Sequence, residues 1–374
     1  MILKNADIFD SEFALRRADV RVEDGKIAEI GENLNGGEEH DLSGCVILPG
    51  FIDIHIHGCG GADFSDALPD TLETMSRTLA SFGVTSFCPA SMTLPYDRIE
   101  KAFENAAGYL GKECGAYIHG INMEGPFISP AKKGAQAEEY IIAPDYDTFA
   151  RLNAVCPVKL VDVAPEMPGA LEFAEQASKV CTVSAAHTTA TYEQAKAGYE
   201  HGFSHVTHLF NAMVGLGSRE AGTVGAVMDS STVTAELICD GIHISAPTLR
   251  IAFRILGEDR IAVISDATMA AGLEDGEYTL GGQRVIKKGA VRLPDGTLAG
   301  SAANLFDEFN NLLHFGIPLR SALKAVTINP ARIIGADKTT GSIAVGKSAD
   351  LLIVSDDFSH INNVIIKGKQ FSAQ

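Results

Sequence analysis

Hydrophobic and polar residues alternate near the start of the chain, as they do in strands with one exposed face, and strand-like runs also occur near its end. At the start, the runs ADVRV and KIAEI flank Glu23-Asp24-Gly25, a pattern that predicts a β-hairpin. Near the end, ADLLIVSD and INNVIIKGKQF predict further strands. We expect these two β-rich ends to pair into one small β domain.

Between the ends, eight strand-like apolar runs alternate with helical runs. This order is typical of a parallel sheet, and its length of about 290 residues is close to the ~250 residues of a (β/α)8 barrel. A doubly wound open sheet is the competing fold. Polar residues follow several different strands, which favours the barrel, because barrel enzymes build their sites at the C-terminal ends of strands.

The composition is that of an ordinary globular protein, with 46% of the 374 residues hydrophobic and 21% charged. The net charge is −18 and basic residues cluster only in pairs, so nucleic acid and anionic membranes are poor partners. The chain start lacks a secretory pattern, and no apolar run reaches the roughly 18 residues of a membrane span. We therefore expect a soluble cytoplasmic protein whose seven scattered cysteines are reduced thiols.

His55 and His57 lie two residues apart in the strand-like run FIDIHIHG. Because side chains alternate along a strand, both point to one face, which in a barrel is the interior. Such a pair can chelate a metal ion, and histidine is the commonest metal ligand. The alternative is a pair of half-buried histidines that are hydrogen-bonded to their neighbours. The pairing and the glycine-rich segment after it favour the metal.

Four further ionisable residues end four other apolar runs: Glu124, His187, His208 and Asp266. Packing explains this poorly, because an unpaired charge in a barrel mouth is costly. A divalent cation removes that cost, and two imidazoles with a carboxylate suit Zn²⁺ with an open position for water. From its position alone, Asp266 is a further ligand, a base or a salt-bridge partner.

The remaining histidines divide into one candidate and six that we expect to be structural. His243 follows the seventh strand-like run, and late strands of barrel enzymes often help to hold a phosphate. His119 lies five residues before Glu124 and in a regular strand faces the opposite way. The other five lie in loops, in helices or at the wrong alternation: His40, His201, His205, His314 and His360.

Several segments together resemble one group of enzymes. Between about Pro49 and Asp350 they are PGFIDIHIHGCGG, MEGPF followed by KKGAQ, AAHT, THLFNAM, DGIH, SDA, NPAR and G-x-I-x-x-G-x-x-ADL. The chain is similar to the amidohydrolase superfamily and, within it, to the branch that deacetylates N-acetylglucosamine 6-phosphate. MEGPF and THLFNAM are specific to this branch, whereas the H-x-H pair and the terminal ADL motif occur in many amidohydrolases.

The resemblance implies a fold and an activity. The fold is a metal-dependent (β/α)8 TIM-like barrel of residues 49–339, with a small β-sandwich of residues 1–48 and 340–374. The reaction is hydrolysis of N-acetylglucosamine 6-phosphate to glucosamine 6-phosphate and acetate, in amino-sugar catabolism or recycling. A homodimer is expected.

By the same resemblance, Glu124, His187 and His208 hold the hydrolytic metal and Asp266 is the general acid and base. The expected ion is Zn²⁺, with Fe²⁺, Mn²⁺ or Co²⁺ as alternatives. Zinc lowers the pKa of a bound water to about 7. Asp266 would then accept the water's remaining proton and return it to the departing amine.

A second ion is allowed, because His55 and His57 are both present, whereas some members of the branch lack these histidines and bind one metal. Glu124 would then bridge the two ions. Many relatives bridge with a carboxylated lysine instead, but Lys159 lies near the entrance of its strand and is out of reach.

Asn211, Ala212, Arg219 and His243 match positions that hold the sugar phosphate. Arg219 acts in its own subunit or across a dimer interface, and the sequence leaves both open. We expect the guanidinium of Arg219 to grip two phosphate oxygens at once.

Two residues depart from the pattern of the branch. Gln136 stands where some relatives carry histidine. Asn122 stands at a position where histidine is common in relatives. The amide of Gln136 can still donate a hydrogen bond to a carbonyl or a sugar hydroxyl. These departures bear on substrate positioning rather than on the metal.

Two other functions are open. Another amidohydrolase, such as a D-aminoacylase or a cyclic-amide hydrolase, would share the metal site but lack a phosphate pocket. A non-catalytic assembly protein built on the same barrel belongs to a different class. The intact candidate ligands at every expected position argue against it.

Overall fold

The computed structural model describes residues 1–372, which contain twenty-two β-strands and ten α-helices. The strands are β1 (Ile2–Phe9), β2 (Leu15–Glu23), β3 (Lys26–Gly31), β4 (Glu39–Asp41), β5 (Cys45–Pro49), β6 (Phe51–Ile56), β7 (Gly58–Cys59), β8 (Ala62–Asp63), β9 (Val84–Pro89), β10 (Tyr117–Ile118), β11 (Ile121–Glu124), β12 (Val158–Val163), β13 (Thr182–Ala185), β14 (Phe203–Val206), β15 (Thr234–Leu237), β16 (Ile261–Val263), β17 (Gly276–Leu280), β18 (Gln283–Lys288), β19 (Ala290–Arg292), β20 (Leu351–Ser355), β21 (Ile361–Ile366) and β22 (Lys369–Phe371). The helices are α1 (Thr71–Ser81), α2 (Tyr96–Tyr109), α3 (Tyr146–Val155), α4 (Ala170–Ala177), α5 (Tyr192–Glu200), α6 (Gly222–Asp229), α7 (Ala246–Leu256), α8 (Leu305–His314), α9 (Leu319–Val326) and α10 (Ile328–Ile333).

The two ends of the chain lie in one eight-stranded sheet. Its strands are ordered β22-β21-β20-β5-β1-β2-β3, and β4 pairs with β1. The predicted N-terminal hairpin is confirmed: β2 and β3 are antiparallel, and Asp24 and Gly25 both have positive φ, as a tight hairpin turn requires. The predicted C-terminal strands are confirmed as β20 and β21, and β20 pairs with β5 along its whole length.

Both faces of this sheet are buried at its central strands β5 and β20. Alternating residues such as Ile47 and Ile353 belong to a core of the sheet's own, whereas their neighbours Leu48 and Val354 join the main core of the molecule. This division explains why β20 reads as a continuous apolar run instead of alternating.

The middle of the chain is an α/β array of eight parallel strand segments with helices between them. In chain order the segments are β6, β9, β10 with β11, β12, β13, β14, β15 and β16, and each pairs with the next. A doubly wound sheet would reverse its order at a switch point, which this succession does not do within residues 1–372. The first and last segments also meet, because the Asp266 N–H donates to the carbonyl oxygen of His55 at 3.0 Å.

The helices pack through one apolar face. In α7, the buried residues Leu249, Ala252, Phe253 and Leu256 follow the spacing of a single helix face. Within residues 1–372, no helix is long and apolar enough to cross a bilayer.

The segment AYIHGINMEG, the third of the eight strand-like runs, was predicted as one strand but is interrupted between β10 and β11, where Gly120 lies. This residue has φ +147°, and a Cβ on it would lie 2.5 Å from the carbonyl oxygen of Pro157. Only glycine fits such a close approach. The break leaves His119 on a separate short segment, where its ring bonds the hydroxyl of Ser86 at 3.0 Å.

Strands β17, β18 and β19 form a small antiparallel sheet that the sequence analysis missed. Gly281 and Gly282 between β17 and β18 both have positive φ, and such a Gly-Gly pair between alternating runs is a hairpin signal. The Gly281 N–H donates to Asp63 at 2.9 Å, and the Gln283 amide donates to the carbonyl of Ala135 at 2.6 Å. These bonds hold the small sheet over the C-terminal ends of the parallel strands.

Asp350 of the ADL motif connects the terminal sheet to the parallel strands. Its buried carboxylate accepts hydrogen bonds from the Tyr117 hydroxyl at 2.8 Å, the Lys367 N–H at 2.8 Å and the Thr340 hydroxyl at 3.1 Å. The Asp350 carboxylate therefore satisfies three hydrogen-bond donors from separate parts of the chain.

We predict that Asp350→Ala lowers the free energy of unfolding. Each buried donor left without a partner costs roughly 1–3 kcal/mol, so the loss should be at least of that size. Urea unfolding followed by circular dichroism measures it. The exposed Asp356, changed to alanine, is the control and should leave the midpoint unchanged; equal midpoints for the two variants would contradict the prediction.

Candidate metal centre

Glu124, His187 and His208 meet in one buried cluster, as the sequence predicted. Glu124 ends β11, while the histidines follow β13 and β14. The Oε1 atom of Glu124 lies 2.9 Å from Nε2 of His187 and 3.3 Å from Nε2 of His208, and these two ring nitrogens are 3.2 Å apart. Parallel strands deliver the three side chains to the same end of the sheet.

The hydrogen bonding of His187 tests whether this cluster fits a cation. Its Nδ1 lies 2.8 Å from the carbonyl oxygen of Lys132, which can only accept, so Nδ1 carries the proton. In the neutral ring, which is the form that binds a metal, Nε2 then keeps its lone pair and faces the carboxylate and the ring of His208. Lone pairs and a negative charge that converge in this way need a positive charge between them, and one carboxylate with two imidazoles is a zinc donor set. The residues fit a divalent cation.

A second cluster comprises His55, His57 and Asp266. Nε2 of His57 lies 3.3 Å from Oδ1 of Asp266 and 3.2 Å from Oε2 of Glu124. Nε2 of His55 lies 3.7 Å from Oε1 of Glu124 and 3.8 Å from Oδ1 of Asp266. Glu124 therefore stands between the clusters with an oxygen toward each, which is the position of a bridging ligand.

Mutual charge determines the protonation of this cluster. Burial alone would lower the pKa of His57, but hydrogen bonds and charge from Asp266 and Glu124 raise it to about 10. Burial alone would raise the pKa of Glu124, but His187, His208 and His57 together hold it well below its usual range. Carboxylates and imidazoles thus stabilise each other's charged forms.

Three of these residues have strained backbones. His187, His208 and Asp266 have φ of 44°, 33° and 46°, in the left-handed region that non-glycine residues rarely adopt. Each lies two or three residues beyond the end of a strand, and the turn directs the side chain toward the cluster. Such strain of roughly 1–3 kcal/mol per residue is typical of functional sites and needs support from its surroundings.

Glu166 supplies that support beside His187. Its carboxylate accepts hydrogen bonds from the hydroxyl of Thr188 and from the N–H and hydroxyl of Thr189, at 2.6 and 2.9 Å for the latter two. The two residues that follow His187 are therefore fixed. The sequence analysis did not single out Glu166, because its partners come from the next strand's loop.

The clusters open into a cavity of about 330 Å³. His57, Glu124, His187, His208 and Asp266 face it. So do four of the five residues that were predicted to bind substrate, namely Gln136, Asn211, Ala212 and His243. The lining also includes residues that the sequence analysis missed: Met92, Lys132, Leu280, Thr297 and Leu298.

Arg219 is exposed and does not line this cavity. It lies in the loop 214–220, whose Leu216 is also exposed, at 59%. The phosphate contact of Arg219 therefore stays a prediction.

Both the nitrogen and the oxygen of the Gln136 side-chain amide make hydrogen bonds. Its Nε2 donates to Oε2 of Glu124 at 2.6 Å, and its Oε1 accepts the N–H of Thr93 at 2.6 Å. Gln136 therefore orients Glu124, and a bond to a substrate carbonyl would require one of these contacts to be given up. Asn122 lies outside the cavity lining and donates to the carbonyl of Ile54 at 3.1 Å.

His243 is held in place by Asp240. Oδ2 of Asp240 lies 2.7 Å from Nδ1 of His243, and Oδ1 accepts the N–H groups of Ile242 and His243. Burial lowers the pKa of His243, but the hydrogen bond and charge of Asp240 outweigh it and raise the pKa. The imidazole of His243 lines the cavity, its cationic form is favoured, and it can therefore bind an anion.

Two buried acids behind the clusters also escaped the sequence analysis. Asp162 on β12 and Glu236 on β15 are wholly buried. An oxygen of Asp162, Nε2 of His55 and an oxygen of Glu124 lie within 4.8 Å of one another, and burial raises the pKa of Asp162 to about 8. The available signal was an acidic residue inside an apolar strand run. The six histidines that were expected to be structural do not line the cavity described within residues 1–372.

Residues 46–371 match the model of the amidohydrolase family. The chain belongs to this family. It is 34% identical over 370 residues to the N-acetylglucosamine-6-phosphate deacetylase of Bacillus subtilis (strain 168), which covers 96% of this chain and 93% of the relative. It is 32% identical to the N-acetylgalactosamine-6-phosphate deacetylase of Escherichia coli O157:H7, covering 98% of both chains. The crystal structure of N-acetylglucosamine-6-phosphate deacetylase from Pasteurella multocida superposes with a TM-score of 0.92 at 32% identity, over 99% of this chain and 98% of that one.

We predict that the double variant His55→Gln, His57→Asn binds about one equivalent fewer of divalent metal than the wild type. The cluster of Glu124, His187 and His208 remains to hold one ion. Metal analysis of the purified proteins by mass spectrometry measures the stoichiometry. His119→Gln, a histidine outside the cavity, is the control, and an unchanged metal content in the double variant would contradict the prediction.

Proposed function

We propose that this family member hydrolyses the acetamide of N-acetylglucosamine 6-phosphate, giving glucosamine 6-phosphate and acetate. The observation that carries the proposal is a single cavity lined by two candidate metal clusters and, separately, by a histidine favoured as a cation. Such a cavity offers one region for the amide and another for the phosphate. The Bacillus subtilis and Pasteurella multocida relatives, which match nearly the whole chain, carry the corresponding name.

We further propose that residues 49–339 form a closed (β/α)8 barrel with its site at the C-terminal ends of the strands. The bond from the Asp266 N–H to the carbonyl of His55 supports closure between the last and first strands. We propose that residues 1–48 and 340–374 form a separate β-sandwich, which the shared terminal sheet supports. Residues 373–374 lie outside the described residues.

In this proposal Glu124, His187 and His208 hold one divalent cation, and His55 and His57 hold a second with Glu124 between them. Zn²⁺ suits the imidazole and carboxylate donors, with Fe²⁺, Mn²⁺ or Co²⁺ as alternatives. When bound, such a cation supplies Lewis acidity: it polarises a carbonyl oxygen and lowers the pKa of water.

Asp266 moves the proton. Burial raises its pKa, but His57 and His55 outweigh this and lower it, so its carboxylate is ionised at neutral pH. It accepts a proton from the attacking water at a carboxylate oxygen. It then donates that proton to the amine nitrogen as the carbon–nitrogen bond breaks, because a free amine leaves far more readily than its anion.

His243 binds the phosphate in this proposal, with Asn211 and Ala212 beside it on the cavity wall. The ion pair with Asp240 supports a cationic imidazole there, and charged donors make strong bonds to phosphate oxygens. Holding the substrate by its phosphate places the distant acetamide at the metal clusters and lowers the entropic cost of reaction.

We propose that the protein acts as a homodimer and that Arg219 approaches the phosphate from its own subunit or from the partner. An exposed arginine on a loop that also carries the exposed Leu216 supports a contact with a second copy. The cytoplasm is the proposed location, since all seven cysteines of residues 1–372 are free thiols.

The direct test is acetate release by the purified, metal-loaded protein. We expect turnover of N-acetylglucosamine 6-phosphate and much weaker turnover of N-acetylglucosamine without phosphate. N-acetylgalactosamine 6-phosphate is the third substrate, because one relative carries that name. Equal turnover with and without the phosphate would favour an amidohydrolase of another specificity.

We predict that Asp266→Asn reduces kcat by about 10²–10⁴-fold, the usual scale for general acid–base catalysis. The amide cannot accept and return a proton, while the ion held by Glu124, His187 and His208 is retained. Steady-state kinetics and metal analysis of the same preparation measure both effects. Asp356→Asn, at an exposed position, is the control; near-wild-type kcat in Asp266→Asn would show that the assigned role is wrong.

We predict that Arg219→Ala loses selectivity for phosphate. The ratio of kcat/KM for N-acetylglucosamine 6-phosphate to that for the unphosphorylated sugar should fall, because only the first substrate offers oxygens to the guanidinium. Arg254→Ala removes the same charge from an exposed helix position and serves as the control. A wild-type ratio in Arg219→Ala would mean that other groups recognise the phosphate.

A further inference from the structure

Glu236 has no function in the proposal so far, although its position is unusual. It lies on β15, is 0% exposed and is flanked by the apolar Ala235 and Leu237. Within residues 1–372 its ion-pair partners are imidazoles, namely His55 and His205. A buried carboxylate without a permanent cation is costly, so this residue needs an explanation.

The contacts of Glu236 link it to both candidate metal clusters. Its Oε2 lies 3.1 Å from Nδ1 of His55 and accepts the backbone N–H of His208 at 3.2 Å. One carboxylate oxygen thus contacts the ring of a residue from one cluster and the strained backbone of a residue from the other.

The second oxygen has an ion-pair neighbour but no hydrogen-bond partner within residues 1–372. Oε1 of Glu236 lies 3.3 Å from Nε2 of His205, whose Nδ1 is 2.6 Å from the hydroxyl of Thr234. The hydrogen bonds of the carboxylate therefore all run from Oε2, toward His55 and the His208 N–H. His205 was expected to be structural, and it lies outside the cavity as an ion-pair neighbour of Glu236.

The carboxylate decides which nitrogen of His55 is offered to the cavity. An ionised carboxylate can only accept, so Nδ1 of His55 carries a proton, and in the neutral ring that binds a metal it is Nε2 that keeps the lone pair. Nε2 of His55 has no hydrogen-bond partner within residues 1–372 and faces Glu124 and Asp266. A carboxylate behind a histidine in this way fixes the ring and makes its other nitrogen a better donor to a metal.

His55 differs in this respect from two other candidate ligands. Nδ1 of His57 faces the backbone carbonyl of Ala90, and Nδ1 of His187 faces that of Lys132. The partner of His55 is instead an anion. The effect of Glu236 should therefore be greatest on the ion held at the His55 side.

From these contacts we propose that Glu236 is a positioning residue. It orients the ring of His55 and thereby raises the metal affinity of the cluster of His55, His57 and Asp266. The proposal rests on the proposed function only in taking His55 as a metal ligand. It does not depend on the substrate.

The test is titration of the metal-free, full-length protein with Zn²⁺ in competition with a chromophoric chelator. In Glu236→Gln, which keeps the side-chain size, we expect the dissociation constant of one equivalent to rise about 10–100-fold, the usual loss when a partner behind a metal ligand is changed. The other equivalent should change less. Glu308→Gln is the control, because Glu308 is also wholly buried and its oxygens have no hydrogen-bond partner within residues 1–372.

A double-mutant comparison separates positioning from a general structural effect. In a His55→Gln background, Glu236→Gln should weaken zinc binding little further, because the ligand through which it acts is gone. An equally large loss in that background, or wild-type zinc binding in Glu236→Gln alone, would overturn the proposal.

If Glu236→Gln does not fold, Glu236→Asp is the second variant. It keeps the charge but withdraws the carboxylate from Nδ1 of His55 by one methylene, so it should weaken the same equivalent of zinc in the same direction. Unchanged zinc binding in Glu236→Asp would then overturn the proposal. Loss of acetate release by the wild type with the zinc result intact would refute the proposed function and leave this inference standing.

Discussion

The carboxylate of Glu124 is the contact on which the candidate site depends. One of its oxygens faces His187 and His208, and the other faces His57 and accepts the amide of Gln136. A carboxylate buried this deeply would be neutral without such partners, and then it could not bridge two cations. The surrounding strands and turns must deliver those partners to within about a hydrogen-bond length, and much of the local structure follows from this requirement.

The cost of that arrangement is visible in the backbone. His187, His208 and Asp266 are all in the left-handed region, each just beyond the end of a parallel strand. Glu166 and Glu236 stabilise two of these turns by accepting hydrogen bonds from the residues in or next to them. These acids lie behind the site and offset the backbone strain within it. Removing one of them would disturb the positions of His187 or His208 indirectly, through the backbone.

The predictable parts of the molecule are those encoded locally. Strand and helix periodicity, the His55–His57 spacing and the polar residues at strand ends all depend on short stretches of sequence, and the structure brings those residues together. Glu236 could not be paired with His55 in this way, since 181 residues separate them. The break at Gly120 depends on a close approach to Pro157, which no local pattern reveals. The hairpin of β17 and β18 has a local signal in Gly281 and Gly282, but the position of that sheet depends on the distant anchors Asp63 and Ala135.

The charge of the protein limits how it can recognise a phosphorylated sugar. A net charge of −18 repels an anionic substrate at long range, so attraction cannot come from the molecule as a whole. At physiological salt, charges are screened beyond about 8 Å, and a few cations near the cavity can then dominate locally. His243 is such a group, since Asp240 favours its charged form, and Lys132 lines the same cavity. Under the proposed function, recognition of phosphate would therefore fall to a small number of side chains at the cavity rather than to the net charge of the protein.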